Sequence, residues 1–191
     1  MRIIGGSARG RRLFAPEGND TRPTADRVRE SVFNILGARV CGARVLDLFA
    51  GSGALALEAV SRGAHSAVLV DSGRAACAVI ERNVALMRAQ DKARLLRMDY
   101  RAALERLGGD PFSLVFLDPP YRMEEAYAQA ARLLHARGLL AEGAVLVMEH
   151  DARRPLRLDG AFEIFDERRY GAAQVAFVRA APGAKEGEEE G

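Results

Sequence analysis

An α/β architecture built on a mostly parallel sheet is what this sequence predicts, and three observations predict it. Apolar runs alternate with helical periods from residue 44 onward, a glycine-rich turn follows the first run, and acidic residues stand at the ends of several runs. Strands that are apolar on both faces are covered on both sides, as in a parallel sheet with helices on each face. At 191 residues and 49% hydrophobic side chains, the chain can bury one core, and its length favours one domain with a small appendage.

The elements follow in order. "RIIGGSARGRRLF" places two short apolar runs around a Gly/Arg loop and predicts a hairpin. "RPTADRVRESVFNIL" predicts a helix capped by Thr24, with Asp26 in its first turn and Val28, Val32, Ile35 and Leu36 as its buried stripe. Residues 1–40 therefore read as an N-terminal extension ahead of a core domain over 41–182. Within that core, "RVLDLF" (44–49), "AVLVD" (67–71), "ARLLRM" (93–98), "FSLVFLD" (112–118) and "AVLVME" (144–149) read as strands. Helices are expected from Gly53, from the neighbourhood of Arg74, and near 124–137, where Met123, Tyr127, Ala130 and Leu134 share a face. "FEIFDERRY" and "AAQVAFVRA", divided by Gly171, predict an antiparallel hairpin at one sheet edge. The acidic tail 183–191 has too little apolar surface to offset its ordering entropy and is expected to be disordered.

Composition narrows the function. Cys41 and Cys77 form no CxxC pair, and His65, His135 and His150 are scattered, so neither a disulfide framework nor a metal site is expected. No apolar run approaches the roughly 18 residues of a membrane span, and the N-terminus lacks a signal-peptide pattern, so the expected address is the cytoplasm. Monomer is the default state. The net charge of +2 conceals an asymmetry: residues 1–12 carry Arg2, Arg9, Arg11 and Arg12 without an acid. Arg27 and Arg29, on other faces of the helix, would join them in a basic surface beside the core; a merely solvated face is the competing reading.

In "LDLFAGSGALALE", Asp47 ends the first core strand, and Gly51, Gly53 and Ala56 lead into a helix. Glycines allow close backbone approach to a ligand, and the next helix offers free N–H groups. The pattern also fits a dinucleotide fingerprint, with Asp71 placed for a ribose hydroxyl. Asp47 discriminates, because a carboxylate there would repel a pyrophosphate and suit a cationic ligand. S-adenosylmethionine meets that requirement with a sulfonium and an ammonium. Asp71 would then accept from its ribose hydroxyls and Asp99 from its adenine amine.

"VFLDPPY" carries the reaction. Asp118 ends the fourth strand, at the carboxyl edge where open α/β sheets bind ligands. Pro119 and Pro120 fix the local backbone, so the Asp118 carboxylate and the Pro119 carbonyl form two placed acceptors for a planar amino group. Tyr121 would stack on the ring carrying that amine. Holding both N–H groups opposes delocalisation of the nitrogen lone pair and aims it at a sulfonium methyl. This stretch alone suits adenine, cytosine or guanine.

Taken together, "MRIIGGSARGRRL", "RPTADRVRESVFN", "LDLFAGSGALALEAVSRGA", "FLDPPY" and "RYGAAQV" resemble, in that order and over nearly the whole chain, the bacterial RsmD-type 16S ribosomal RNA guanine-N2 methyltransferases. The resemblance implies a class I S-adenosylmethionine-dependent methyltransferase fold: Rossmann-like, seven-stranded, with an antiparallel last strand, behind a hairpin-helix extension. It implies that Asp47, Phe49, Gly51, Ser52 and Gly53 line the cofactor, with Asp71 at its ribose and Asp99 and Tyr100 at its adenine. Asp118, Pro119, Pro120 and Tyr121 would hold the guanine amine. It further implies 16S RNA, in the small subunit or an assembly intermediate, as partner, met by Arg9, Arg11, Arg12, Arg22 and Arg27. The second-strand acid, often Glu in this family, is Asp71 here.

Three rivals remain. A DNA adenine or cytosine amino-methyltransferase shares the loop and clamp but needs room for target recognition. A nicotinamide dehydrogenase leaves Asp47 and the clamp without roles, and a non-catalytic RNA-binding assembly factor leaves both motifs unexplained.

Overall fold

The computed structural model describes residues 1–15, 23–120 and 122–181. The chain forms α1 (Pro23–Leu36), a short 3-10 turn (Gly37–Val40), β1 (Arg44–Asp47), α2 (Ala54–Ser61), β2 (Ser66–Asp71) and α3 (Arg74–Met87). It continues as β3 (Ala93–Arg97), α4 (Tyr100–Arg106), β4 (Phe112–Leu117), α5 (Glu125–Ala136), β5 (Leu140–Asp151), β6 (Phe162–Tyr170) and β7 (Ala173–Ala180). The seven strands make one sheet in the order β3-β2-β1-β4-β5-β7-β6. The first five are parallel, and β7 is inserted antiparallel between β5 and β6.

The apolar runs become the strands they predict because both sheet faces are covered. On one face Val45, Leu69, Phe116 and Val147 pack with α1, α2 and α3; on the other, Leu46, Val115, Leu117 and Met148 pack with α4 and α5. Alternation along β1, β4 and β5 thus assigns each residue to a face. Strand β5 is longer than its apolar run, starting at Leu140 and ending at Asp151. Helix α4, seven residues capped by Asp99, is too short to show a period in the sequence.

The first forty residues share the core of the sheet. Ile3, Leu13, Val32, Phe33 and Leu36 are buried in the same cluster as Val45 and Leu57. Residues 1–13 form the expected hairpin, with an Arg2–Arg12 bridge and an Ile3 N–H to Arg11 carbonyl hydrogen bond of 2.9 Å. Helix α1 begins at Pro23, so Thr24, whose side chain lies outside the described residues, stands in the first turn rather than ahead of it; proline is well suited to that first position. Its stripe includes Phe33 as well as Val28, Val32 and Leu36, with Ile35 half-buried. The tail 183–191 lies outside the described residues.

Candidate active site

Strand β1 delivers Asp47 to the carboxyl edge of the sheet, and residues 48–53 turn from there into α2. Gly53 adopts φ +77°, and a Cβ there would lie 2.9 Å from Leu69, so both torsion and space require glycine. Gly51, at φ +56°, has open space where a side chain would project. This leaves the backbone of the loop accessible to a ligand. Asp47 is almost wholly buried. Burial pushes its carboxyl up to about 7; the N–H of Ala56 opposes this, the charge of Asp71 adds to it, and the N–H of Phe49 opposes it.

The two acids farther along are held by backbone. Asp71 accepts from the N–H of Gly51 and of Gly73, both at 2.8 Å, and so braces the glycine loop from the end of β2. Asp99 accepts from the Arg101 N–H at 2.9 Å as the N-cap of α4. Phe49 is half-buried, its ring 5.1 Å from that of buried Tyr100, whose hydroxyl donates to Gln129. The Ser52 hydroxyl points to the Met1 sulfur at 3.4 Å, and the Ser52 carbonyl accepts from Asn83 at 2.9 Å. Ser52 therefore ties the loop to the hairpin, and nothing in its side-chain bonding is turned toward a ligand.

Across the sheet the register brings a second group together. Asp47 pairs with Phe116 of β4, and Leu117 of β4 pairs with Met148 of β5, so Asp118 and Glu149 each follow a matched pair. Alternation puts Asp47, Asp118 and Glu149 on the same face, that of α1 and α2. They form a row of three acids across β1, β4 and β5. The sequence does not single out Glu149, because it closes the apolar run "AVLVME" without any motif; standing at the end of such a run is the one signal it shares with Asp118.

Asp118 is exposed to solvent on one side, with protein around it on the others. The second property governs how well a charge is solvated: burial first, then the charges of Glu149 and Asp47, hold its carboxyl well above the usual range. Glu149, half-buried, is also raised by burial, with His150 opposing. Among the described residues no donor reaches either carboxylate. Pro119 is buried, and Pro120 turns the chain by accepting from the Met123 N–H at 2.8 Å. Tyr121 lies outside the described residues. A cavity of about 800 Å³ opens nearby, lined by Tyr127, Arg132, His150 and Arg157. Since His150 faces Tyr127 of α5, this cavity is on the opposite side of β5 from the acid row.

The family model described as "Conserved hypothetical protein 95" matches residues 1–179. The chain belongs to this family. "Ribosomal RNA small subunit methyltransferase D" of Escherichia coli is 40% identical over 156 residues, spanning 82% of this chain and 77% of that protein. "Putative rRNA methyltransferase YlbH" of Bacillus subtilis is 38% identical over 184 residues, 94% of this chain and 98% of that one. The solved structure of "Putative methyltransferase yhhF from Escherichia coli" superposes with a TM-score of 0.82 at 35% identity, covering 94% of this chain and 97% of that one. The sheet order, the reversed β7 and these neighbours make the fold that of a class I S-adenosylmethionine-dependent methyltransferase, in an RsmD-type chain.

In this family member the N-terminal hairpin is fastened from below. Glu58 of α2, fully buried, accepts from the N–H groups of Ile4 at 2.7 Å and Gly5 at 2.8 Å and from the Arg62 guanidinium at 2.7 Å. Ser61 donates to the Gly5 carbonyl and accepts from the Ala8 N–H. At Gly6 a Cβ would fall 1.9 Å from the Ser61 carbonyl oxygen. Asn83 of α3 completes the attachment by bonding both the N–H and the carbonyl of Phe14.

The arginines divide. Arg9, Arg11, Arg12 and Arg27 are exposed, with Arg11 also donating to the Leu86 carbonyl. Arg29, expected on a basic surface, is instead 6% exposed and bonds Asp26 and the Arg2 carbonyl beside Glu58. A guanidinium there balances a buried carboxylate. Arg22 lies outside the described residues. Among the described residues no group of acids, histidines and cysteines is arranged to hold a metal, and no helix is long and apolar enough to cross a membrane.

Proposed function

We propose that this protein transfers a methyl group from S-adenosylmethionine to the exocyclic N2 amine of a guanine in 16S ribosomal RNA, in the small subunit or an assembly intermediate. The observation that carries the reading is the pairing of Asp118 with Pro119 at the edge of β4, on the same sheet face as Asp47. Relatives named for methylation of small-subunit ribosomal RNA support the choice of substrate.

The residues present fit the cofactor. Asp47 and Asp71 put two acids at the loop, which opposes a pyrophosphate and favours an ammonium and a sulfonium. Their positive charge would draw the buried Asp47, raised to about 7, into its ionised form. When bound, the cofactor supplies a methyl group made electrophilic by its positive sulfur. Gly51 and Gly53 would let the backbone approach it, Asp47 would meet its amino-acid end, and Phe49 with Tyr100 would wall its adenine. Asp71 would accept from the ribose while bracing the loop, and Asp99 from the adenine amine while capping α4.

Asp118 and the Pro119 carbonyl would accept the two amine N–H groups, directing the nitrogen lone pair out of the base plane. Forming the N–C bond would leave the electrons of the cofactor's S–C bond on sulfur, and Asp118 or water would take the extra proton from the nitrogen. Pro120 braces the turn and Tyr121 would stack on the base. The extension 1–40, through Arg9, Arg11, Arg12, Arg22 and Arg27, would contact RNA phosphates beside the cleft.

The test is transfer of labelled methyl to small-subunit particles lacking the modification, followed by digestion and identification of the nucleoside. N2-methylguanosine in 16S RNA is the expected product. Labelling of DNA, or of no RNA substrate, would overturn the reading.

A further inference from the structure

Glu149 is unexplained by the amine clamp. The residue before it, Met148, is level with Leu117, so its side chain and that of Asp118 project from adjacent parallel segments at the same height and on the same face. The Tyr127 hydroxyl donates to the Glu149 carbonyl, fixing this part of β5 to the helix that follows Asp118 and its prolines. His150 opposes the effect of burial on Glu149 through its charge but makes no hydrogen bond to it: its Nδ1 lies against the carbonyls of Asp151 and Arg154 and its Nε2 faces Glu167. Asp118 is exposed and Glu149 half-buried, and no donor among the described residues engages either carboxylate, so both stay open to a ligand. They call for a ligand edge rich in N–H groups.

Among the nucleobases that carry an exocyclic amine, guanine has a donor, N1–H, on the ring atom next to the amine-bearing carbon. Adenine and cytosine place an acceptor nitrogen at the equivalent atom. We propose that Glu149 is the guanine-selecting residue, its carboxylate accepting the base N1–H while Asp118 and the Pro119 carbonyl hold the amine. This rests on the guanine-N2 reading above and extends it, because the same clamp without Glu149 would serve any amino base. An acceptor nitrogen facing Glu149 would leave two acceptors in contact, and sites built to meet a donor reject analogues lacking it strongly.

2-Aminopurine separates the two contacts, since it keeps the amine but has an acceptor at N1. Small subunits are reconstituted with guanine or 2-aminopurine at the mapped methylation site, and kcat/KM is measured for wild type, Glu149→Gln and Glu149→Asp. Wild type is expected to prefer guanine by about 10- to 100-fold. Glu149→Gln, which can donate as well as accept, should lose roughly tenfold on guanine and narrow the preference to about threefold or less. Glu149→Asp should retain more of the preference. A wild-type ratio near one, or a ratio unchanged in Glu149→Gln, overturns the selection role even though the methyl-transfer reading survives. Transfer to neither RNA by wild type refutes that reading, and the selection role with it. Cofactor affinity equal to wild type shows that a variant is folded; should Glu149→Gln fail that check, the wild-type ratio and Glu149→Asp decide.

Discussion

The two halves of the acidic edge are built differently. Around the glycine loop, Asp71 and Asp99 already accept backbone N–H groups, and Asp47 faces those of Ala56 and Phe49. Around the proline clamp, Asp118 and Glu149 face burial and each other, with no donor among the described residues. Acids that the fold itself satisfies can shape a loop whether or not a ligand is present. Acids that it leaves unsatisfied gain their donors from what binds. On the proposed function, one half is preorganised and the other recognises the base.

Asp118→Ala should break the contrast most visibly. Turnover is expected to fall by about 10³-fold while cofactor affinity stays within about threefold, measured by single-turnover methyl transfer and calorimetry. Loss of cofactor binding to the same degree would erase the distinction between the halves.

Glu58→Ala tests whether the hairpin belongs to the preorganised half. It strands two backbone N–H groups and leaves Arg29 without its buried counter-charge, a loss of about 3–5 kcal/mol in urea unfolding. Because Met1 and Asn83 join the hairpin region to Ser52, cofactor affinity should weaken with it. Unaltered stability would mean that the hairpin is a loose attachment.

Asp47→Asn acts more gently and depends on pH. Burial raises the folded pKa from 3.8 to about 7, so the folded chain holds this proton more tightly than the unfolded chain. The resulting stability is fully present below about 4 and is lost as pH rises through about 7. The variant should therefore raise the melting temperature of cofactor-free protein at pH 8, by about 2–4 kcal/mol in equivalent stability, with little gain at pH 4. It should also weaken S-adenosylmethionine by roughly 10- to 100-fold, and wild-type affinity should improve as pH rises through that range. A melting temperature that falls at pH 8 would show Asp47 to be a satisfied structural acid.

The smallest effect is expected from replacing Arg9, Arg11 and Arg12 by Ala. RNA affinity should drop severalfold, and the slope of log K against log salt should flatten by up to about 2. An unchanged slope returns these residues to a solvated face.

Much of this arrangement was legible in the sequence. The strands were readable because burial on both faces makes them uniformly apolar, and the end of β4 because an acid and two prolines close such a run. Less was legible wherever a partner distant in the chain decides. Arg29 looks like any other helical arginine until Glu58 is folded beneath it. Asp71 and Ser52 have the expected positions, but their bonding to Gly51, Gly73 and Met1 depends on how the loop closes. Glu149 is hidden because strand register, which sets its distance from Asp118, leaves no mark in either segment alone.

The attachment of the hairpin also bears on how the chain matures. Ile4 is bound by a residue 54 positions later, and Phe14 by one 69 positions later. During synthesis the segment that emerges first must wait for these partners until α2 and then α3 have followed it. The hairpin that carries Arg9, Arg11 and Arg12 therefore reaches its final place only after α2 and α3 have formed.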